Sequence, residues 1–470
     1  MTPTGSPAVA PPLTRAAVAA PAPPVRIVHM GLGAFHRAHQ AWYTARSADA
    51  DAWGIAAFTG RSPQAAEELS AQGGLYTLIE RGDDEDRAVI VPSISAALDG
   101  ADMTAFRAHV SAPATAVVTL TVTEPGYHLR PDGEIDLDDP AVAADIRGLS
   151  AEPASAAPTT APGRLLAGLE ARRRGGAGPI AVVPCDNIPA NGALVHRALT
   201  SLAGEVDPGL ARWIEETVAF VSTSVDRITP RTTDADRAAA AALTGYADAA
   251  PVVTEPFSDW VLSGEFPAGR PEWESAGARI VADIAPFEQR KLRLLNGAHS
   301  LLAYLGILRG HGTVAEAIAD RGCRSAVEGF WAEARRGMPP ALGAEDYCAA
   351  LTARFANPRI AHHLRQIGME GVSKLAVRVT PVARQERAAG RSAAGCVVPL
   401  AAWTALATRG RLPADAHADA VRRAAHADDP AAALIALLDA ELAADAPLID
   451  RIRRCAAELG GRQSTERNPH

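Results

Sequence analysis

The sequence predicts an α/β protein with an N-terminal doubly wound sheet domain followed by a mostly α-helical C-terminal domain. Short apolar stretches alternate with helical stretches over residues 25–285, the pattern of parallel strands joined by crossover helices. From Pro286 onward the chain has the pattern of alanine-rich amphipathic helices almost throughout. Because 470 residues exceed what one ordinary core organises, we place a domain boundary close to residue 285.

The composition is that of a soluble globular protein, with 48% hydrophobic and 21% charged residues. A net charge of −8 argues against nucleic acid as the main partner. No apolar run reaches the roughly 18 residues that a membrane span needs, so we expect no membrane association. Residues 1–24 lack the continuous hydrophobic centre of a secretory signal. We therefore predict a disordered tail over residues 1–24 and a cytoplasmic protein.

The cysteines and histidines predict no metal site. The five cysteines are widely scattered and include no C-x-x-C pair, which supports neither a disulfide framework nor a structural zinc site. The clustered histidines have no acid or cysteine partner at ligand spacing. A zinc- or iron-dependent enzyme is therefore the weaker alternative.

A glycine turn follows the first predicted strand, Val25–Met30. A strand, a glycine turn and a helical segment form the context in which the pyrophosphate of a dinucleotide is bound. Gly31 permits the tight turn and Gly33 lets a phosphate approach the backbone. The third glycine of G-x-G-x-x-G is absent, since His36 occupies its position. An ordinary strand-to-helix turn remains the alternative interpretation.

The second predicted strand, residues 53–58, bears on the choice of cofactor. An acid normally follows this strand and holds the 2′-hydroxyl of the adenosine ribose. Here the chain continues Thr59-Gly60-Arg61-Ser62, and the first acid is Glu67. Arg61 and Ser62 are suited to accept a 2′-phosphate, so NADP remains an alternative to NAD. A solvent-facing loop at Arg61 is equally compatible with the pattern.

Further strands are predicted at residues 76–79, 88–92, 116–122, 180–184 and 218–224, and residues 130–162 are predicted to be an exposed excursion. The strand at 180–184 leads into a polar turn that contains Asn187. Ligands of open α/β sheets bind at the carboxyl ends of the strands. Asn187 is therefore a candidate ligand contact, with a turn or cap residue as the alternative.

The strongest catalytic candidates lie within residues 288–299 of the helical domain. Lys291, Leu295 and His299 are four apart, so on an α-helix they form a stripe with Asn296 at its flank. Gly297 costs a helix about 1 kcal/mol relative to alanine and usually marks a close approach to the backbone. A helix histidine with only a packing role is the alternative for His299.

Lysine is rare in this chain. Lys291 and Lys374 are the only lysines among 46 Lys and Arg residues. A buried lysine, unlike arginine, can have its pKa lowered far enough to act as a base. Chance survival in an arginine-rich composition is the alternative, and it is weaker for Lys291 because Asn296 and His299 lie beside it.

Taken together, five motifs resemble the mannitol dehydrogenase family of polyol-specific long-chain dehydrogenases. They are Gly31-x-Gly33-x-Phe35-His36-Arg37-Ala38-His39, Thr123-Glu124-x-Gly126-Tyr127, Cys185-Asp186-Asn187-Ile188-Pro189-x-Asn191-Gly192, Asp226-Arg227-Ile228-Thr229-Pro230 and Lys291-x-x-x-x-Asn296-x-x-His299. The family includes mannitol dehydrogenases, fructuronate and tagaturonate reductases and arabinitol dehydrogenases. The resemblance covers residues 25–460 and implies a Rossmann-type domain, a mostly helical C-terminal domain and an active site without metal.

The resemblance also implies residue roles. Lys291 matches the catalytic lysine, Asn187 and Asn296 match an oxyanion-binding pair, His299 matches a substrate-positioning histidine, and Glu288 matches a glutamate of the proton exit. The predicted cofactor-binding residues are Gly31, Gly33, Phe35, His36, Arg37 and Glu124, together with Arg61 and Ser62 of the second-strand loop. In that loop the chain departs from the NAD-preferring members of the family, which carry acids there. The implied substrate-binding residues are Asp226, Arg227, Lys374 and Arg378.

The chemistry of these residues suits alcohol oxidation. A neutral lysine can take the hydroxyl proton while hydride leaves the same carbon for nicotinamide, and carboxamide donors stabilise the developing alkoxide. We expect an NAD- or NADP-dependent dehydrogenase that interconverts a sugar alcohol and a ketose, with D-mannitol and D-fructose as the first candidates. Fructuronate reduction is the nearest alternative, and a non-catalytic dinucleotide-binding sensor is the alternative of a different class. By analogy with the family, we expect a monomer.

Overall fold

The computed structural model describes residues 10–60 and 62–461. The chain divides into two compact units, Met1–Ala285 and Pro286–His470. The first unit combines parallel strands with helices and the second is helical, so the predicted α/β fold class is confirmed.

The strands all belong to the first unit. In chain order they are β1 (Val25–Met30), β2 (Gly54–Phe58), β3 (Tyr76–Arg81), β4 (Asp86–Val91), β5 (Ile94–Leu98), β6 (Val117–Leu120), β7 (Ile180–Pro184), β8 (Val218–Phe220), β9 (Ser222–Asp226), β10 (Val252–Thr254), β11 (Asp259–Ser263) and β12 (Arg279–Ile280). The α-helices of this unit are α1 (Arg15–Val18), α2 (Ala34–Ala38), α3 (Gln40–Arg46), α4 (Gln64–Ala71), α5 (Met103–Ser111), α6 (Pro140–Ala151), α7 (Ala161–Gly175), α8 (Asn191–Val206), α9 (Pro208–Thr217) and α10 (Asp234–Thr244).

The main sheet has six parallel strands in the order β5-β2-β1-β6-β7-β8. Its strands are buried on both faces, since Ile27 packs into a core on one side and its neighbour Val28 into a core on the other. The chain runs outward from β1 in one direction and from β6 in the other. The carboxyl ends of β1 and β6 therefore flank the crevice where such sheets bind ligands.

Two small sheets complete the first unit. The predicted strands at 76–79 and 88–92 exist as β3 and β4, but they lie outside the main sheet, where β3 pairs with both β4 and β10. The strand predicted at 218–224 is two strands: β8 ends in the main sheet, whereas β9 pairs antiparallel with β11. Val221 between them is fully buried, so the apolar pattern runs on without a break and conceals the change of sheet.

The prediction of an exposed excursion over residues 130–162 is wrong. This stretch contains α6, whose Val142 and Leu149 are buried in the core. Asp139 caps the amino end of α6, and Pro140 occupies the first turn, where proline is favoured. A composition rich in alanine, proline and aspartate concealed a helix that begins with these start signals.

The prediction of a disordered tail is wrong for the described residues 10–24. Leu13 is fully buried, and its N–H donates to Ala247 O. The guanidinium of Arg15 donates to five backbone carbonyl oxygens, those of Gly73, Ala20, Pro21, Pro92 and Ile94, over 2.6–3.2 Å. One arginine therefore fastens this segment to loops far away in the sequence.

The second unit is helical from its first turn. Its elements are α11 (Ala285–Arg290), a π-helix (Lys291–Asn296), α12 (Gly297–Arg309), α13 (Val314–Ala319), α14 (Arg321–Ala334), α15 (Ala344–Ala356), α16 (Leu364–Ile367), α17 (Gly371–Arg378), α18 (Thr380–Ala388), α19 (Ala394–Ala407), α20 (Ala418–Ala425), α21 (Pro430–Ala436), α22 (Ala440–Ala443) and α23 (Ala446–Gly461).

Helix α12 forms the centre of this unit. All its residues from Gly297 to Leu308 are buried, and it packs against α14, α16 and α19. A helix that is apolar all round belongs in the middle of a helical domain. Among residues 10–60 and 62–461, no helix combines the length and the hydropathy needed to span a bilayer.

Replacing Arg15 by alanine should destabilise the first unit. The change leaves up to five backbone carbonyl oxygens without their donor, and we expect a loss of about 1–3 kcal/mol in the free energy of unfolding. Chemical denaturation measures it, with exposed Arg147 replaced by alanine as the control. Equal stability of both variants would show that Arg15 does not hold the segment.

Candidate active site

The glycine turn after β1 lies against the end of β6. Gly31 has φ +108°, and a Cβ built on it would lie 2.4 Å from Thr121 O and 2.6 Å from Thr121 Oγ1. The N–H groups of Gly31 and Leu32 both donate to Phe58 O at 2.9 Å. A side chain at position 31 would push β1 and β6 apart, so glycine is required there.

Six of the predicted site residues line one cavity of ≈510 Å³ at this edge of the sheet. They are Gly31, Gly33, Phe35, His36, Glu124 and Asn187. The turns after β1, β6 and β7 thus come together in the first unit.

His36 is a buried imidazole in the lining of this cavity. Both of its ring nitrogens are buried and have no hydrogen-bond partner among the described residues. Its ring stacks on that of His29, with 3.3 Å between centroids and 10° between planes. Burial, together with the neighbouring His29, holds the pKa of His36 well below its ordinary value. His36 is therefore neutral.

His29 fixes the floor beneath this turn. Its ring nitrogens lie 2.8 Å from Thr119 Oγ1 and 3.1 Å from Thr121 Oγ1, and Thr121 Oγ1 donates to Gly31 O at 2.8 Å. Burial lowers the pKa of His29 to about 3, so its ring is neutral at physiological pH. His29 was not among the predicted site residues, because a histidine inside a strand pattern has no distinguishing signal.

The structure places Arg37 and Arg227 away from the cavity lining. Buried Arg37 donates to Gly33 O at 3.3 Å and to Ala250 O. The Arg227 side chain has no exposed area, pairs with Glu80 at 2.6 Å, and donates to Ala38 O and Glu255 O. These contacts give Arg227 a structural role in the first unit, and its predicted substrate contact stays a prediction. Arg37 likewise holds the glycine turn in place.

The other predicted contacts of the first unit are scattered. Asp226 ends β9, opposite Asp259 of β11. Ser62 is exposed and accepts from Gln64 N at 3.3 Å. Arg61 lies outside the described residues, so its predicted contact stays a prediction.

The end of β2 has two neighbours that the sequence did not reveal. Thr59 Oγ1 donates to Asp99 Oδ1 at 3.4 Å, and Arg164 Nη1 donates to Gly60 O at 3.2 Å. Asp99 follows β5, the strand beside β2, and Arg164 lies in the first turn of α7. The carboxylate of Asp99 and the guanidinium of Arg164 therefore lie beside the end of β2, which has no acid of its own. Only the pairing of β5 with β2 could have identified Asp99.

The segment of the second unit that holds the catalytic candidates is a π-helix over Lys291–Asn296, not the predicted α-helix. The N–H of Gly297 donates to Leu292 O, a spacing of five residues. A π-turn carries one extra residue, so Lys291 and Asn296, five apart, lie one turn from each other. Leu295 points into the core with 2% exposure, whereas Lys291 and Asn296 are half-buried. The predicted stripe of Lys291, Leu295 and His299 is thereby corrected to Lys291 and Asn296. Glu288 precedes them on α11, half-buried.

Gly297 marks a close approach, as predicted. A Cβ at this position would lie 2.6 Å from Phe330 Cε1 and 2.7 Å from Phe330 Cζ. The Phe330 ring is fully buried on α14. The glycine that follows Asn296 therefore lets α14 pack against the start of α12.

Arg378 of α17 lies beside the same segment. Its Nη1 is 3.2 Å from Ser300 Oγ and 3.5 Å from Asn296 O. No carboxylate among the described residues pairs with its guanidinium, and burial lowers the pKa of Arg378 to about 10. A half-buried cation without an anionic partner is costly, which makes this position suited to an anion.

His299 is surrounded by cations. Its ring lies 4.9 Å from the rings of Phe355 and His362, and its buried Nε2 has no hydrogen-bond partner among the described residues. Burial and the charges of His362, Arg354, Arg378 and Lys374 hold the pKa of His299 well below its ordinary value. The second unit thus brings together the predicted residues Asn296, His299, Lys374 and Arg378.

Lys374 completes this group. Its Nζ donates to Ile367 O at 3.0 Å. Burial and Arg378 lower the pKa of Lys374, while Glu370 and Asp415 act in the opposite direction.

One group in the described part of the chain has the spacing of metal ligands: His311, Asp320 and Cys323. Asp320 already accepts from Cys323 N and from Arg309 Nε. Burial and the Asp320 charge raise the pKa of Cys323 to about 12. This group is an ion pair at a helix cap.

Two family descriptions match the chain. The mannitol dehydrogenase Rossmann domain matches residues 25–275 and the mannitol dehydrogenase C-terminal domain matches residues 283–455. Oxidoreductase YeiQ of Escherichia coli K12 is 40% identical, over 75% of this chain and 73% of the relative. D-mannonate oxidoreductase of the same organism is 38% identical, over 80% of this chain and 79% of the relative. Mannitol 2-dehydrogenase of Pseudomonas fluorescens, solved as a ternary complex with NAD and D-mannitol, is 31% identical. The two structures superpose with a TM-score of 0.75, and the match covers 98% of this chain and 96% of the relative.

Replacing Gly297 by alanine should destabilise the second unit by about 1–3 kcal/mol, because the added methyl overlaps a buried ring that has no room to move. Gly329 of α14 is the matched control, since a Cβ there meets nothing within 4 Å. Alanine at position 329 should stabilise by up to about 1 kcal/mol through helix propensity. Thermal unfolding of both variants measures the difference, and a gain in both would refute the close packing at Gly297.

Proposed function

Because this chain belongs to the mannitol dehydrogenase family, we propose that it interconverts a secondary alcohol and a ketone on an open-chain sugar derivative with a nicotinamide cofactor. Membership makes it an oxidoreductase of polyols or sugar acids with an NAD-type cofactor. The observation that supports the proposal is the π-helix, whose five-residue hydrogen-bond spacing equals the separation of Lys291, the only amine of the segment, from Asn296. A non-catalytic sensor would not need this spacing.

The proposed chemistry uses Lys291 as the acid and base. Lys291 takes the hydroxyl proton during oxidation and returns it during reduction, a contribution of roughly 10²–10⁴-fold. Asn296 and Asn187 donate to the developing alkoxide oxygen, His299 positions a substrate hydroxyl through its free Nε2, and Glu288 serves proton exit. The bound nicotinamide supplies or accepts the hydride.

The cavity of the first unit suits the dinucleotide. Gly31 and Gly33 line the cavity where a pyrophosphate can lie, and the neutral imidazole of His36 lines it as well. Phe35 and Glu124 line the same space. These features support the proposed cofactor contacts of the cavity.

We propose NAD as the preferred cofactor. The carboxylate of Asp99, beside Thr59, is placed to accept from a ribose 2′-hydroxyl in the role of the missing acid. The solved relative from Pseudomonas fluorescens was crystallised with NAD. NADP is the second candidate, because Arg164 donates to Gly60 O close by and Arg61 follows Gly60 in the sequence.

For the substrate, Arg378 favours a sugar acid such as D-mannonate and D-fructuronate over the D-mannitol and D-fructose expected first. Its guanidinium has no carboxylate partner and lies within reach of Ser300 and Asn296. A substrate carboxylate would supply the missing charge. D-mannonate oxidoreductase of Escherichia coli is a relative at 38% identity, whereas the mannitol-bound relative supports D-mannitol as the second candidate.

Replacing Lys291 by methionine should lower turnover by roughly 10²–10⁴-fold, because methionine has a side chain of similar length but no acid–base group. Binding of NADH, followed by its fluorescence, should stay within about twofold of the unmodified protein, since the cavity lining does not include Lys291. Undiminished turnover in this variant would remove Lys291 from the mechanism.

A substrate panel tests the sugar-acid proposal. D-fructuronate and D-fructose are offered separately with NADH and with NADPH, and we expect faster turnover with D-fructuronate and NADH. Replacing Arg378 by glutamine should raise KM for D-fructuronate by roughly 10- to 100-fold, the value of a charge-assisted hydrogen bond, and change KM for D-fructose far less. Exposed Arg321 replaced by glutamine is the control. Turnover of D-fructose alone would establish the polyol alternative instead.

A further inference from the structure

The turn that carries Asn187 is built on the carboxylate of Asp186. Tyr127 Oη donates to Asp186 Oδ2 at 2.6 Å. Ile188 N and Asn191 Nδ2 both donate to Asp186 Oδ1 at 3.1 Å. Both carboxylate oxygens are therefore engaged, and the donors come from the turn itself, from α8 and from the 3-10 helix Glu124–Tyr127 after β6.

Asn191 extends this network to a third strand. It is fully buried at the start of α8 and accepts from Thr223 N at 2.8 Å. Its Nδ2 lies 3.1 Å from Pro184 O, to which Thr223 Oγ1 also donates at 2.6 Å. The ends of β6 and β7, the start of α8 and strand β9 are thus joined by side chains.

The backbone between these anchors is strained. Ala190 has φ +49°, a left-handed conformation that is unfavourable for a residue with a Cβ. A Cβ on Gly192 would lie 2.6 Å from Ser222 N, so the start of α8 presses on the β9 segment. A strained turn persists only where its surroundings fix it, and the Asp186 network supplies that fixation on both sides of Asn187.

We propose that Tyr127, Asp186 and Asn191 form a positioning network that aims the carboxamide of Asn187 for the reaction. The proposal rests on the proposed function, in which Asn187 donates to the alkoxide oxygen. Asn187 is exposed while its anchors at positions 186 and 191 are tied to other elements. None of the three residues needs to touch the reacting atoms. Their contribution is orientation, where a small displacement of a donor costs orders of magnitude in rate.

Replacing Tyr127 by phenylalanine tests the network with the least disturbance, because the buried ring stays and only the O–H donor to Asp186 is lost. We expect kcat to fall by roughly 10- to 100-fold. KM for the sugar substrate, NADH binding and the thermal unfolding midpoint should stay close to the unmodified values. Tyr246, whose Oη donates to Ala17 O at 3.2 Å on the surface, is the matched control when replaced by phenylalanine.

Asp186 replaced by asparagine, alone and together with the Tyr127 change, shows whether the residues act as a unit. In a network, the double variant should lose little more kcat than the worse single variant. If the kcat losses of the two single variants multiply in the double variant, the residues act independently and the proposed network is overturned. Unchanged kcat in the Tyr127 variant would overturn it, as would a parallel fall in kcat, NADH binding and unfolding midpoint, which would signify a merely structural role.

Crystal structures of the unmodified protein and the Tyr127 variant provide a readout that does not need turnover. The proposal expects a displaced Asn187 carboxamide in the variant, and an unmoved one would overturn it. If the unmodified protein reduces none of the offered sugars but Asn187 moves as expected, the proposed function fails while the network stands.

Discussion

The contact between Gly31 and Thr121 is the constraint on which the first unit depends. Strands β1 and β6 approach so closely at their carboxyl ends that only hydrogen fits at position 31. Thr121 Oγ1 uses that closeness to donate to Gly31 O and to meet the ring of His29. The ring of His29 in turn stacks on that of His36, which lines the cavity. The strand order places a crevice here, and the close contact of Gly31 with Thr121 gives the crevice its lining.

Much of this architecture could be predicted from the sequence. Strands buried on both faces give continuous apolar runs, and β1 and β7 were predicted with the bounds they have. The failures share a physical cause. Arg15 holds residues 10–24 through carbonyl oxygens that lie as far along the chain as residue 94. The acid that is absent after β2 is found beside it in space as Asp99, which follows another strand. No local pattern records such partners. The π-helix was missed for a different reason. The spacing of Lys291, Leu295 and Asn296 along the chain fits an α-turn and a π-turn equally well.

The arginine-rich composition has a structural explanation. The Arg172 guanidinium is buried and donates to the carbonyl oxygens of Val110, Ala112, Ala177, Gly178 and Pro179. Arg15 and Arg227 satisfy loop carbonyls in the same way. The fixed fork of five donors suits this work, and the three donors of an ammonium group do not. The sequence alone does not distinguish an arginine that binds backbone carbonyls, as Arg227 does, from an arginine that binds a ligand.

The π-helix at Lys291–Asn296 has a geometric consequence for the whole second unit. An α-helix advances about 100° per residue, since it has 3.6 residues per turn. One extra residue in the turn therefore acts as a phase shift, so that everything after Asn296 is rotated by about that angle relative to α11. If the same residues formed a regular α-helix, Lys291 and Asn296, five apart, would lie about 140° from each other around the helix axis. The pairing of amine and carboxamide is thus encoded in a count of residues as much as in their identity.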